Sequence, residues 1–282
     1  MSGTLFVVAT PIGNLEDITL RALRVLREAD VIAAEDTRRT AKLLAHYSIS
    51  TSTLSFHDHN AHTRTPQLLA RLEAGAGVAL VSDAGMPGIS DPGRGLIEAC
   101  WERGIAIDPV PGASAPVTAA VASGFPLDPL TIFGFVPTRL KDRKTWMLRA
   151  QALHDTFTFF EAPHRIHQTL SEMASYFGER PIFVAREMTK RHQQFIRGDS
   201  VADLFGRTPE AKGEFTLVVG PVRATKSAGV LGTDREIFVE FGQLTDKVPG
   251  GRRAALSAVA LKYRRSAKDV YSIIERMKKS GV

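Results

Sequence analysis

Only one cysteine, Cys100, occurs in the 282 residues, which excludes an intramolecular disulfide and a thiolate-rich metal site. It lies in the apolar pattern LIEACW and reads as a packed core thiol, so redox chemistry is not expected. No apolar run approaches the roughly 18 to 20 residues that a membrane span requires, and the opening MSGTLFVVATPIG has neither a basic leader nor a small-residue cleavage pattern. A cytoplasmic chain without membrane contact is the expectation. Two nucleotide signatures are also missing. TPIGNL stands where a G-x-G-x-x-G would follow the first strand, and the nearest imitation, Gly93-x-Gly95-x-x-Glu98, fails at its third position. There is no G-x-x-x-x-G-K-[ST] either, so NAD and nucleoside triphosphates are disfavoured.

Excess charge is absent from most of the chain. Residues 223–282 hold 13 of the 36 Lys and Arg but only 6 of the 30 Asp and Glu, a net +7 that leaves the first 222 residues at −1. A basic module on a neutral body suggests a polyanionic partner, most simply a nucleic acid, against the plainer reading of a lysine-rich solvated helix face.

What is present is a strong α/β grammar. LFVVAT (5–10) is a short apolar, β-branched run closed by Pro11 and Gly13, as a buried parallel strand would be. Asp17 or Thr19 can start a helix, in which Leu20, Leu23, Val25 and Leu26 recur at helical spacing before VIAAE (31–35) resumes strand character. The pattern repeats as helix 38–46, strand 51–55, helix 65–74, strand 77–82, helix 93–103 and strand 105–110, an open parallel sheet by right-handed crossovers. PGASAPVTAAVASGF (111–125) opens a small-residue helix, and the proline-rich stretch after it marks a boundary near 125. Strand-like runs at 131–136, 156–161, 181–186 and 214–219, with helices at 141–153 and 165–177, predict a second, mixed sheet. After Pro221 a linker precedes helical patterns, with capping boxes at Thr233/Glu236 and Ser266/Asp269 and a stripe of Val270, Ile273, Ile274 and Met277. The expected domains are therefore 1–125, 126–222 and a basic helical module, 223–282.

Ligands of open α/β sheets bind beyond the carboxyl ends of the strands. Four such ends are unusual: TPIGN (10–14), AEDTR (34–38), SDAGMPGISDPG (82–93) and PGASA (111–115). Three are rich in Gly, Pro and small residues, which lets the backbone approach a ligand closely. The 82–93 loop has two aspartates and no lysine or arginine, which suits a ligand carrying positive charge or none. Each loop alone is only a turn; their recurrence at successive strand ends carries the inference.

TPIGNLEDIT, AAEDTRRT, SFHDHN, VSDAGMPGISDPG, PGASA, EAPHR, REMTK and KGEF, in this order and spacing, closely resemble the ribosomal RNA small-subunit methyltransferase I family, within the tetrapyrrole-methylase fold. The resemblance covers residues 4 to 220 and, more loosely, the tail. It implies a class III S-adenosylmethionine (AdoMet) methyltransferase with two α/β domains, a cofactor cleft between them and a small helical C-terminal module, usually a homodimer. The implied reaction is 2′-O-methylation of the ribose of a cytidine in the decoding region of 16S rRNA, within the small ribosomal subunit. Carried over motif by motif, it places AdoMet against Pro11, Ile12, Gly13, Asp83, Gly85, Met86, Ser114 and Ala115, with Phe160, Glu161, Glu187, Phe215 and Thr216 closing the other side. Met86 and Ala162 stand where many relatives would have Thr and Ser, which puts a side-chain hydroxyl role at those two positions in doubt.

Transfer to a ribose hydroxyl needs positioning and a proton acceptor. Asp36 of EDTR is the first choice and His164 the second, with Glu161 and Glu187 also at the cleft; against these, Asp36 could simply cap the next helix and His164 bond a carbonyl. Arg38, Arg165, Arg186 and Lys190 are candidates for RNA phosphates, as are Arg252, Arg253, Lys262, Arg264 and Arg265 of the tail. SFHDHNAH (55–62) tempts one toward a metal, but it reads as a loop with few apolar anchors, and no metal is expected. Two rivals stay open: AdoMet-dependent C-methylation of a tetrapyrrole precursor, and a non-enzymatic RNA-binding ribosome assembly factor.

Overall fold

A computed structural model of the chain describes residues 2–204, 207, 210–222, 233–245, 251–263 and 265–279. Residues 1–222 form one compact unit and residues 223–282 another.

The first sheet of residues 1–222 is fully parallel. β1 (Thr4–Val8), β2 (Val31–Ala34), β3 (Thr53–Ser55), β4 (Val78–Val81) and β5 (Ala106–Val110) lie in the order β3-β2-β4-β1-β5. Alternation along each strand decides which layer it touches. Leu5, Val7, Val31, Ala33, Val78 and Leu80 pack with Leu68 and Leu72 of α3 (Ala61–Glu73) and Leu96 and Cys100 of α4 (Arg94–Glu102). Their neighbours Val8, Ile32, Ala34, Ala79 and Val81 pack on the opposite face with Leu23 and Leu26 of α1 (Leu20–Glu28) and Leu44 of α2 (Thr37–His46). Burial on both faces is why these strands read as continuous apolar runs.

Strand order also places the crevice. The connection from β1 passes β4 to reach β2, while that from β4 passes β1 to reach β5. The two loops leaving these adjacent carboxyl ends therefore part toward opposite edges, the geometry that opens a ligand crevice in a doubly wound sheet.

Two details depart from the sequence reading. Leu20 opens α1 but is 86% exposed, because Thr19, whose hydroxyl accepts from the Ala22 amide at 3.0 Å, sets the first turn outside the apolar stripe. The helix expected at 65–74 begins at Ala61, with Pro66 inside it. Its start is set by a turn in which Asn60 Oδ1 accepts from the His57 amide at 2.9 Å.

The second sheet is mixed, in the order β6-β7-β10-β8-β9. β6 (Leu130–Phe135) and β7 (Thr156–Glu161) are parallel, while β10 (Phe215–Val219) runs antiparallel to β7 and β8 (Ile182–Arg186), and β9 (Gln194–Gly198) antiparallel to β8. The edge strand β9 was not anticipated. α6 (Leu140–Gln151) and α7 (Ile166–Phe177) cover one face through Trp146, Met147, Leu170 and Met173. The other face packs Phe183, Ala185 and Val218 against Ile12 of the first loop and Ala119 of α5 (Ala115–Ser123). That shared apolar seam joins the two sheets into one unit.

In residues 223–282, α8 (Asp234–Thr245), α9 (Gly251–Lys262) and α10 (Ala267–Lys279) enclose their own core of Ile237, Phe241, Val259, Val270, Ile273 and Ile274. The box at Thr233 is reciprocal: the Thr233 amide donates to Glu236 Oε2 at 2.6 Å, and the Glu236 amide to Thr233 Oγ1 at 3.3 Å. Among the described residues no helix is long and apolar enough to cross a membrane.

Candidate active site

Where the β1 and β4 loops face each other, Thr10 and Gly85 exchange backbone hydrogen bonds of 2.9 and 3.0 Å. Gly85 holds φ at +81°, a conformation that side-chain-bearing residues resist, so this bridge needs glycine. Below it opens a cavity of about 430 Å³, within the usual range for a small-molecule site.

Both sheets contribute its walls. Ile12, Asp83, Gly85, Met86, Ser114 and Ala115 come from the parallel half, and Phe160, Glu161, Phe215 and Thr216 from the mixed half. All ten were expected around a ligand, and the fold brings them to one cavity. Pro11 and Gly13 line a smaller, adjoining pocket of about 200 Å³ that shares Ile12, Arg39, Asp83, Ala84 and Glu214 with it. Gly13 allows a close approach: a Cβ there would lie 2.5 Å from Thr189 Oγ1, and the Asn14 amide donates to that hydroxyl at 3.0 Å. The loop after β8 thus latches onto the loop after β1, with Glu187 and Thr189 held at positive φ of 49° and 66°.

The structure gives each candidate acid its partners. Asp36 is the N-cap of α2: its Oδ1 accepts from the Arg38 amide at 2.8 Å and its Oδ2 pairs with the Arg38 guanidinium at 2.8 Å. Those bonds hold its carboxyl far below the ordinary carboxylate range, and it lies outside the cavity lining. His164 sits exposed on the short turn Pro163–Arg165, also outside the lining. Glu161 lines the cavity but is saturated. It pairs with Arg165 at 2.6 Å and accepts from Thr169 Oγ1 at 2.5 Å and from the Ala162 amide at 2.7 Å. Glu187 is outside both pockets. Burial alone would raise its carboxyl, but the Lys190 ammonium at 2.9 Å and the Glu214 amide outweigh burial and hold it below the ordinary range.

The body cations offered for RNA are mostly internal fasteners. Arg165 also donates to the Val136 carbonyl at 2.9 Å, Arg186 to that of Lys212 at 2.7 Å, and Lys190 bridges Glu187 and Glu214. Arg38 is exposed but bound to Asp36. In the tail, Arg252 pairs with Glu275 at 3.3 Å and Lys262 with Glu240. Arg253 is exposed, Arg265 is half-buried, and Arg264 lies outside the described residues.

Sequence reading missed the cavity's own charges: Glu35, Arg39, Asp91 and Glu214. Arg39 is anchored to Asp83 at 2.9 Å and reaches Glu214 at 3.8 Å. Asp83 is thereby fully engaged, since its other oxygen accepts from the Asp36 amide at 3.0 Å. Glu35 Oε2 accepts from the Asp83 amide at 3.1 Å, and its carboxyl is raised chiefly by burial, with the charges of Asp83 and Asp58 adding to it. Asp91 is pushed up to about 6, first by burial and then by the charge of Glu35. Five carboxylates to one guanidinium make the lining electronegative. Around the histidine-rich segment, Asn60 Nδ2 donates to the Ser55 carbonyl at 3.2 Å, and no cluster of three or more His, Cys, Asp or Glu suited to a metal occurs among the described residues.

Residues 4–201 match the family of tetrapyrrole (corrin/porphyrin) methylases. A ribosomal RNA small subunit methyltransferase I of Halalkalibacterium halodurans is 48% identical over 218 residues, 77% of this chain and 75% of that one. One of the same name from Thermotoga maritima is 48% identical over 219 residues, 77% of this chain and 98% of its own. Among solved structures, a uroporphyrin-III C-methyltransferase of Thermus thermophilus complexed with S-adenosylhomocysteine has a TM-score of 0.54 at 18% identity, covering 78% of this chain and 98% of that one. That likeness shows the fold.

Proposed function

The chain belongs to the tetrapyrrole methylase family, and on that premise we propose that it is an AdoMet-dependent methyltransferase acting on small-subunit ribosomal RNA, at the ribose 2′-hydroxyl of a cytidine in the decoding region of 16S rRNA. One observation carries the reading. The glycine and alanine loops at the carboxyl ends of β1, β4 and β5 meet Phe160 and Thr216 of the other sheet around an electronegative cavity, in a chain that over 77% of its length is 48% identical to proteins named ribosomal RNA small subunit methyltransferase I.

The cavity fits AdoMet in size and charge. Gly85 and the alanines at 84, 115 and 162 leave room for the backbone to hydrogen-bond an amino acid and a nucleoside, while Phe160 and Phe135 offer apolar faces. AdoMet supplies a methyl group on a cationic sulfonium and is consumed as the donor substrate. Glu35, Asp83 and Asp91 favour that cation and repel a polyphosphate. The chain's own contribution is to hold the acceptor hydroxyl in line and to exclude water.

RNA engagement falls to the module of residues 223–282, whose net charge of +7 is read from the sequence. Exposed Arg253 and the basic residues around it contact phosphates and position the RNA rather than read its bases. The reading includes a homodimer working in the cytoplasm on the assembled subunit or its RNA; the exposed apolar side chains of Trp101, Val121 and Leu140 support a protein contact.

The test is transfer of labelled methyl from AdoMet into small ribosomal subunits from cells lacking this protein, followed by alkaline hydrolysis. Label in an alkali-resistant dinucleotide is expected, because a blocked 2′-hydroxyl cannot drive cleavage. AdoMet binding with no RNA label, and methylation of a tetrapyrrole instead, would overturn the substrate while keeping the fold.

A further inference from the structure

Six carboxylates stand in or beside the cavity, and their partners separate them. Asp36 is bound to Arg38, Asp83 to Arg39, Glu161 to Arg165, and Glu214 to Lys190 and Arg39. A carboxylate held by a guanidinium or ammonium is a weak proton acceptor, since the cation stabilises its charged form. Only Glu35 and Asp91 line the cavity without a bonded cation among the described residues. Glu35 sits at the end of β2 with one oxygen committed to the Asp83 amide, a bond that fixes it to the floor. Asp91 is the less committed group: it lines the cavity from the β4–α4 loop beside Ser90, while the nearby Ser82 hydroxyl donates to the Ala84 and Gly85 carbonyls at 3.4 Å.

We infer that Asp91 is the catalytic base that accepts the proton of the acceptor hydroxyl, and that Glu35 is a positioning residue whose negative charge keeps Asp91 a competent acceptor. The inference rests on the methyltransferase reading. The step balances: the hydroxyl O–H bond breaks and its proton goes to an Asp91 oxygen, the oxygen bonds to the methyl carbon, and the carbon–sulfur electron pair stays on sulfur. One positive and one negative charge disappear together, which a partly dry cavity favours. Groups acting on Asp91 come from each neighbouring element: Glu35 after β2, Asp58 after β3 and Asp83 after β4, all negative. Each raises its affinity for a proton, as does its burial, and its titration near pH 6 leaves it ionised at neutral pH yet basic enough to work.

The test uses the full-length protein with AdoMet and small ribosomal subunits. Asp91→Asn is expected to lower kcat about 100-fold or more at pH 8, a loss that saturating AdoMet does not restore. Wild-type kcat/KM should rise with pH to a plateau above about 6; Glu35→Gln should move that midpoint to lower pH, and Asp91→Asn should abolish the limb. Carbon-13 NMR of labelled aspartate should show one carboxyl titrating in the same region, missing in Asp91→Asn, and Asp91→Glu should restore part of the rate. Near-wild-type activity of Asp91→Asn, or an unchanged limb in that variant, overturns the inference and leaves the methyltransferase reading standing. Failure of the wild type to bind AdoMet or methylate the subunits overturns both.

Discussion

At the carboxyl ends of the parallel sheet, Glu35 and Asp91 face the cavity without a bonded cation among the described residues, whereas around the mixed sheet Glu161, Arg165, Arg186, Glu187 and Lys190 are bonded to other side chains or to backbone carbonyls. Both halves carry sequence motifs of the same look, EDTR and SDAG in one, EAPHR and REMTK in the other. The motifs of the parallel half shape a ligand site with backbone and with Glu35, while Asp36 and Asp83 are paired with Arg38 and Arg39. Those of the mixed half use their charges to close the structure: Glu161, Thr169, Arg143 and Glu172 form a chain of bonds from β7 into α7 and α6.

The sharpest way to break this comparison is Arg165→Ala. Glu161 has no exposed side-chain surface, so removing its guanidinium leaves a buried charge and is expected to cost roughly 3–5 kcal/mol of stability. Denaturant unfolding measures it, and a loss below about 1 kcal/mol would mean the pair is not structural. Next comes Asp36→Ala, which removes a helix cap and should cost about 1 kcal/mol. Its single-turnover rate with saturating AdoMet should stay within threefold of wild type; a hundredfold fall would return Asp36 to the chemistry.

A smaller effect has an opposite sign. Asp91 ordinarily titrates near 3.8 but at about 6 in the fold. The folded chain thus holds the proton more tightly, and stability is lost as pH rises from about 4 through 6. Asp91→Asn should lack that loss and melt above wild type at pH 8 but not at pH 4, by thermal scans at both values. The smallest change expected is His164→Ala, an exposed turn residue away from the cavity, with less than about 0.5 kcal/mol in stability and no change in rate.

Most elements were legible because both faces of the parallel sheet are buried, which writes LFVV, VIAA and VALV as plain apolar runs. β9 was not, since QFIRG is an edge strand with Gln194, Phe195 and Arg197 exposed and only Ile196 and Gly198 buried. The start of α3 was misjudged because Pro66 looks like a first-turn residue, while a turn closed by Asn60 begins the helix earlier. At the site, glycine-rich strand ends announced the backbone walls. Which acid faces the cavity was hidden: in the run Glu35, Asp36, Thr37, Arg38, Arg39, the first and last residues point in, while Asp36 and Arg38 close on each other outside. That choice is made by the cap of α2 and by Asp83, 44 residues from its partner Arg39, and no local pattern records it.

Calorimetric titration of AdoMet into the wild type and into Ser114→Trp tests the central claim most directly. Ser114 lines the cavity and its hydroxyl makes no capping bond, so a tryptophan there fills the site without removing a structural interaction. One AdoMet per chain is expected for the wild type, with affinity weakened at least tenfold in a Ser114→Trp protein that melts within a few degrees of it. Equal affinity in the two proteins, or no binding to the wild type, would contradict the assignment of this cavity to the methyl donor.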